Sequence, residues 1–147
     1  MTSERAETSS QLRFDQLAVA DVMTMDPITV GVDATVEAAE QLLAAYRISG
    51  LPVVDAAGHL VGVLSRTDLL LEGGVVLSQL VRGRASGLRV GEVMSRPPLT
   101  VALSATLAEA ARIMRDERVH RLVVVNEQDE PIGVLSATDY VTLIADG

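Results

Sequence analysis

Gly133-Val134-Leu135-Ser136-Ala137-Thr138-Asp139 restates Gly62-Val63-Leu64-Ser65-Arg66-Thr67-Asp68 at an offset of 71 residues, with only Ala137 against Arg66 differing. An apolar run that closes on Ser-x-Thr-Asp reads as a buried strand handing over to a helix. The matched pair therefore sets two hydroxyls and two carboxylates at equivalent points in two copies of one unit.

The echo extends in both directions. Val93-Met94 matches Val22-Met23, Pro98-x-Thr100-Val101 matches Pro27-x-Thr29-Val30, Ala105-Thr106 matches Ala34-Thr35, and Val124-Val125 matches Val53-Val54. Over residues 22–70 against 93–141, 18 of 49 ungapped pairs are identical. Chance in an apolar-rich chain gives about a tenth, so the sequence is a tandem duplication.

In the first copy, Ile28-Thr29-Val30 predicts a short strand. Val36, Ala39, Leu42, Leu43 and Tyr46 then predict a helix, with Asp33 or Thr35 as its N-cap and Gly50 just past its end. Leu51–Asp55 and Leu60–Leu64 flank a turn at 56–59 that contains His59, and so predict a hairpin. Ser65 is expected to open a helix through about Leu71. Phe14, Leu17, Val19, Val22 and Met23 suggest one or two helical turns ahead of the first strand.

The expected division is a flexible tail over 1–14, a first repeat over 15–71, a linker over 72–90 and a second repeat over 91–147. Val75, Val76, Leu77 and Leu80 could make a short helix in the linker. Each copy reads β-α-β-β-α, and so small a sheet cannot bury both faces alone. The expected fold class is α+β: two pseudo-two-fold-related repeats packed through their small sheets, with clefts where the copies meet.

Composition narrows the chemistry. Of the 147 residues 48% are hydrophobic, which suffices for a core, but only 2% are aromatic, so that core is aliphatic. A net charge of −8 and the scarcity of aromatic platforms argue against nucleic acid as a partner. The chain has no Cys, and His59 and His120 have no partner at metal-ligand spacing, so no metal site is expected. The polar N-terminus lacks the apolar core of a signal peptide, and no apolar run approaches the ~18 residues of a membrane span. A cytoplasmic protein without a membrane partner is the expectation. No nucleophile–base pair or carboxylate dyad appears, which argues against an enzyme.

The Val-Met pairs, the Leu-Pro-Val-Val-Asp strand and the two Gly-φ-φ-Ser-x-x-Asp endings resemble a tandem CBS-domain pair, or Bateman module, over roughly residues 15 to 145. Val119-His120-Arg121-Leu122-Val123-Val124-Val125 is also similar to the last repeat of the gamma subunit of AMP-activated protein kinase. The resemblance implies a regulatory module that binds AMP, ADP, ATP or S-adenosylmethionine in inter-repeat clefts, with no cofactor required. It also implies a homodimer, and a regulated protein reached in trans. By the same resemblance, Asp139 and Asp68 would hold ribose hydroxyls, with Ser136 and Ser65 at the phosphates. Thr138 and Thr67 lie within those endings. Adenine would rest on segments bounded by Met23 and Ile28 in one copy and by Met94 and Leu99 in the other. His120-Arg121 would reach phosphate where the first copy has Ser49-Gly50, which favours the cleft ending in Asp139.

Two alternatives stay open. Ser-x-x-Asp ahead of an apolar helix is also a capping box, and His120-Arg121 could be solvent-facing cations at a helix C-terminus. The functional expectation is a stand-alone nucleotide-sensing CBS pair. Its alternative is a ligand-free structural scaffold for dimerisation.

Overall fold

Thr35 and Thr106 start the two long helices for the same local reason: each hydroxyl accepts the amide N–H three residues on, from Ala38 and Glu109, at 3.1 Å. In the computed structural model, which describes residues 13–70 and 87–146, these helices are α1 (Val36–Tyr46) and α3 (Leu107–Glu117). The remaining elements are β1 (Thr24–Met25), β2 (Val30–Gly31), β3 (Gly50–Val54), β4 (Leu60–Ser65), α2 (Val90–Val93), β5 (Thr100–Ala102), β6 (Arg121–Val125), β7 (Pro131–Ser136) and α4 (Ala137–Asp146).

The chain forms two compact units. One is continuous, Pro27–Pro98; the other is split, combining the residues through Asp26 with those from Leu99 onward. In the continuous unit β2 runs parallel to β3, and β3 runs antiparallel to β4. In the split unit β5 runs parallel to β6, β6 antiparallel to β7, and β1 completes the order β1-β7-β6-β5. Each parallel pair is joined through a helix, and β3–β4 and β6–β7 are hairpins, whereas β1 reaches β7 from a distant part of the chain. Mixed α/β units with small sheets agree with the expected fold class.

The packing units are crossed over with respect to the sequence repeats. Val19, from the first repeat, is buried with Val101, Leu107, Leu122 and Leu135 of the second. Val90 takes the equivalent place among Val30, Val36, Leu51 and Leu64. Backbone bonds fix both exchanges at matching positions: Val19 N–H donates to the Ala105 carbonyl and Val90 N–H to the Ala34 carbonyl, each at 2.8 Å. Both valines are fully buried, which stabilises each unit by about 1.5–3 kcal/mol. Val90 closes the stretch read as a linker, and Phe14 of the expected tail packs edge-on against Tyr140, with ring centroids 5.4 Å apart. Residues 1–12 and 71–86, with the linker helix expected there, lie outside the described residues.

Two local expectations change and a third, the helical turns before the first strand, is met. Helix α1 ends at Arg47 in the left-handed region (φ 53°), with Arg118 its counterpart after α3 (φ 56°), whereas Gly50 begins β3. The apolar contacts of Ile48 and Val119 explain why the turn is made this early, since their amides return to the Leu43 and Met114 carbonyls. Ser65 ends a strand rather than opening a helix, and a single 3-10 turn, Thr67–Leu69, follows it among the described residues. The segment before the first strand is helical over residues 13–16 and makes a 3-10 turn at Val19–Asp21.

The exchanged segments also reach the sheets. Thr24 and Met25 pair with Val134 and Gly133, and Asp26 N–H donates to the Ile132 carbonyl at 3.3 Å. In the continuous unit the equivalent contact is a single bridge, Val63 to Ser95. The residue equivalent to Asp26 is Pro97, which has no amide to donate.

Gly133 and Gly62 permit these approaches. A Cβ at Gly133 would lie 2.5 Å from Met23 Sδ and 2.9 Å from the Thr24 carbonyl oxygen; at Gly62 it would lie 2.6 Å from Met94 Sδ and 3.0 Å from the Ser95 carbonyl oxygen. Gly133→Ala and Gly62→Ala should each destabilise the fold by about 1–3 kcal/mol, the usual cost of overpacking. Gly31→Ala, which would meet nothing within 4 Å, should stay much closer to the parent. Urea midpoints measure the difference, and equal midpoints for all three variants would contradict it.

Candidate ligand sites at the two strand endings

At the end of β7 the chain passes directly from strand into α4, and Asp139 reaches back to receive the Ser136 N–H on Oδ2 at 2.8 Å. Its Oδ1 accepts no hydrogen bond from the described residues. Asp68 is tied more heavily. Its Oδ2 accepts the Ser65 N–H at 2.9 Å and the Ser65 hydroxyl at 3.1 Å, and its Oδ1 accepts the Ser95 hydroxyl at 2.8 Å. The Asp68 N–H lies 3.3 Å from Ser65 Oγ, which completes a reciprocal cap.

Capping is thus a real role of both carboxylates. It consumes one oxygen of Asp139 and, with Ser95, both oxygens of Asp68. A carboxylate has about four lone-pair sites, so an engaged oxygen can still accept, but a ligand at Asp68 has to compete with Ser95. The equivalent of Ser95 is Thr24 in β1, which makes no such bond among the described residues.

The crossover sorts the remaining candidates. The split unit holds Met23, Leu99, His120, Arg121, Ser136, Thr138 and Asp139; the continuous unit holds Ile28, Ser49, Ser65, Thr67, Asp68 and Met94. Each segment expected to carry adenine is therefore divided between the units, with Met23 against Gly133 and Met94 against Gly62. Ile28 and Leu99 pack on the aliphatic cores of their own units.

Arg121 is directly across the ladder from Ser136. The His120 carbonyl accepts the Ala137 N–H at 2.8 Å, and the Ser49 carbonyl accepts the Arg66 N–H at 3.0 Å, so both residues brace the start of the ending. The His120 side chain lines a groove of about 500 Å³ with Arg115, Arg118 and Tyr140, and that groove includes neither Asp139 nor Arg121. Thr67 and Thr138 are exposed. Ser95 was not among the sequence-based candidates; the glycines inside both strands, which mark a close backbone approach, are the signal that could have found it.

Tyr140 adjoins Asp139 and donates its hydroxyl to the Leu107 carbonyl at 2.6 Å. Burial, with the Asp139 charge beside it, pushes its pKa up to about 12. His59 and Asp55 form a hairpin turn, Asp55 Oδ1 accepting both the Ala57 and His59 amides. Among the described residues no cluster of His, Asp and Glu could hold a metal ion, and no helix is long and apolar enough to cross a membrane.

The CBS domain model matches residues 19–73 and 90–146. Among curated relatives, inosine-5'-monophosphate dehydrogenase of Mycobacterium tuberculosis is 32% identical over 137 residues, covering 92% of this chain but 24% of the enzyme. The chain therefore spans about a quarter of the length of these dehydrogenases. A CBS domain-containing protein of Dictyostelium discoideum is 30% identical, covering 88% of this chain and 92% of the relative. Among solved structures, CBSX2 (a CBS-pair protein of Arabidopsis thaliana) in complex with AMP superposes with a TM-score of 0.73. It is 33% identical, covering 88% of this chain and 96% of CBSX2.

The Tyr140 shift has a consequence for stability. The unfolded phenol loses its proton near 10 and the folded one near 12, so above pH 10 the native state binds more protons and stability falls as pH rises towards 12. Tyr140→Phe should weaken that fall between pH 9 and 11 while costing about 1 kcal/mol at neutral pH through the lost hydrogen bond. Urea unfolding of both proteins at several pH values checks this, and an identical slope in the two would contradict it.

Proposed function

The chain belongs to the CBS-domain family, and from that premise we propose that it is a regulatory module that binds an adenosine ligand at the ending built on Ser136 and Asp139. The observation that carries the proposal is the half-engaged carboxylate of Asp139. Anchored through Oδ2, it keeps Oδ1 for a pair of ribose hydroxyls, for which an ionised acceptor is well suited. Met23, delivered by the exchanged segment, offers an aliphatic and polarisable surface for a planar base in a protein with almost no aromatic side chains. Arg121, across the ladder from Ser136, is the favoured phosphate contact, since a guanidinium suits bidentate phosphate binding.

AMP is the first candidate, supported by the AMP complex of CBSX2, a relative of almost the same extent. ADP, ATP and S-adenosylmethionine follow. The role is regulatory rather than catalytic: ligand binding would bias an equilibrium that a partner protein reads, and this requires different affinities for the two states. We place the module in the cytoplasm as a homodimer. One observation favours the ligand-free scaffold for the continuous unit, namely the full engagement of Asp68 by Ser65 and Ser95.

At a hundredfold excess over Kd, a ligand should stabilise the protein by about 2.7 kcal/mol, roughly 5 to 10 °C in a chain of this size. Thermal shift across AMP, ADP, ATP and S-adenosylmethionine should show such a rise for at least one of them. Asp139→Asn keeps the cap acceptor but lowers the charge and should abolish the rise, whereas Asp68→Asn should leave most of it. No rise with any of the four at millimolar concentration would refute the reading.

In calorimetry Ser95→Ala should either add a second binding event or strengthen a weak one, because Asp68 Oδ1 is released. An unchanged isotherm would show that Ser95 does not compete.

A further inference from the structure

The chain has one Phe, two Tyr and no Trp, and two of these three rings meet in the split unit, Phe14 standing edge-on against Tyr140. The duplication did not create this pair. At the 71-residue offset Tyr140 answers to Leu69 and Phe14 to Ala85.

The contact closes a circuit of bonds. The Leu107 N–H donates to the Leu17 carbonyl at 3.0 Å, and the Leu107 carbonyl accepts the Tyr140 hydroxyl at 2.6 Å. The Leu17 N–H returns to the Arg13 carbonyl at 3.0 Å, so Phe14 lies within one helical turn of Leu17. Arg13 Nη1 donates to the Leu143 carbonyl at 3.4 Å. Residues 13–17 thus bridge the start of α3 and the body of α4.

That bridge bears on Asp139, which lies in the first turn of α4. No residue of α4 is fully buried. Tyr140 and Leu143 pack against the aliphatic core, and these are the two residues that Phe14 and Arg13 touch. Asp68 is steadied by bonds to its own oxygens from Ser65 and Ser95. Asp139 accepts the Ser136 N–H on Oδ2 and keeps Oδ1 open, so its aim is set by the backbone that Tyr140 anchors. Packing does at Asp139 what the Ser95 hydroxyl does at Asp68, without occupying an oxygen.

We propose that the Phe14–Tyr140 clasp couples residues 13–17 to the ligand site, so that occupancy at Asp139 tightens the segment and the docked segment raises affinity. The inference rests on the adenosine reading above and adds the element that transmits occupancy. With the clasp closed Oδ1 is aimed at the ligand, and with it open the aim is lost, so a ligand that favours the closed arrangement shifts the population towards it. The coupling is reciprocal, and one factor governs both affinity and docking of the segment.

Calorimetry with AMP tests the direction from clasp to site. Phe14→Leu, which keeps apolar volume and removes the ring, should raise the AMP Kd about tenfold, within the usual range of coupling between sites. Phe14→Tyr should restore it. Tyr140→Leu, which carries over the residue of the first copy, should raise Kd at least as much, and adding Phe14→Leu to it should change nothing further, because both act through one contact. Val30→Ala, a truncation in the core of the continuous unit, should lower the melting temperature and leave Kd unchanged. An unchanged Kd in folded Phe14→Leu, multiplying effects in the double variant, or an equal rise in Val30→Ala would overturn the coupling.

Trypsin reads the reverse direction in the unaltered protein. Saturating AMP should slow cleavage after Arg13 severalfold more than cleavage after Arg47 in the continuous unit, since proteolysis follows the population of the open form. Equal slowing at both, or none at Arg13, would overturn the proposal. No binding of AMP, ADP, ATP or S-adenosylmethionine by the unaltered protein would instead overturn the adenosine reading on which it rests.

Discussion

The structure depends on the reciprocal loan of two short segments. Each small sheet leaves a core position and a sheet edge that its own repeat does not fill. Val19 and Val90 fill the core positions, bonded to the Ala105 and Ala34 carbonyls. The loan is repeated bond for bond: Leu107 N–H donates to the Leu17 carbonyl and Val36 N–H to the Leu88 carbonyl. These bonds satisfy backbone groups at the entrance of each long helix, where a helix has no internal partner for its amides. Helix start, core and sheet edge are thus completed by one segment, and no single repeat of the sequence supplies a whole unit.

That constraint shapes the candidate sites. Because the borrowed segment arrives beside the strand that carries the Gly-φ-φ-Ser-x-Thr-Asp ending, each ending strand is flanked by residues distant in sequence. The two meetings differ by small substitutions. At Thr24 the segment continues as a paired strand, with Asp26 donating to the Ile132 carbonyl. At Ser95 it stops, because Pro97 has no amide, and the Ser95 hydroxyl closes on Asp68. A proline and a serine therefore separate an engaged acid from one with an oxygen to spare.

Much of the fold was legible because its signals are local. Threonine caps, three- and four-residue spacing and the hairpin turns are written in neighbouring residues, and the repeat doubled every one of them. The crossover was not legible, since nothing in Val19 or Val90 tells which repeat will bury it; that is decided by tertiary packing. The helix ends were misplaced because Gly50 looked like a cap, whereas Arg47 adopts the left-handed conformation as partly buried Ile48 packs against the core. The helix expected after Ser65 reduces to a 3-10 turn among the described residues. The candidate residues Ser136, Asp139, Ser65 and Asp68 were chosen by type at the endings, where the structure shows their capping bonds. Ser95 escaped because its role arises from a contact 27 residues away in sequence.

The duplication also shows which positions packing holds and which it releases. Val30 and Val101, Leu51 and Leu122, Val53 and Val124, and Leu64 and Leu135 are equivalent pairs, and every member is buried. An interior packed to crystal-like density tolerates little change of volume, so these positions keep their character in both copies. Glu40 and Ala111, or Ala44 and Arg115, line grooves open to solvent and are under no such restraint. Their divergence is not neutral in effect, because it makes the two grooves opposite in charge while their floors stay apolar. Asymmetry at Ser95 distinguishes the carboxylates, and asymmetry at the groove edges distinguishes the faces. A duplicated core thus carries two unlike surfaces, and the chemistry of the molecule lies in the differences between its copies.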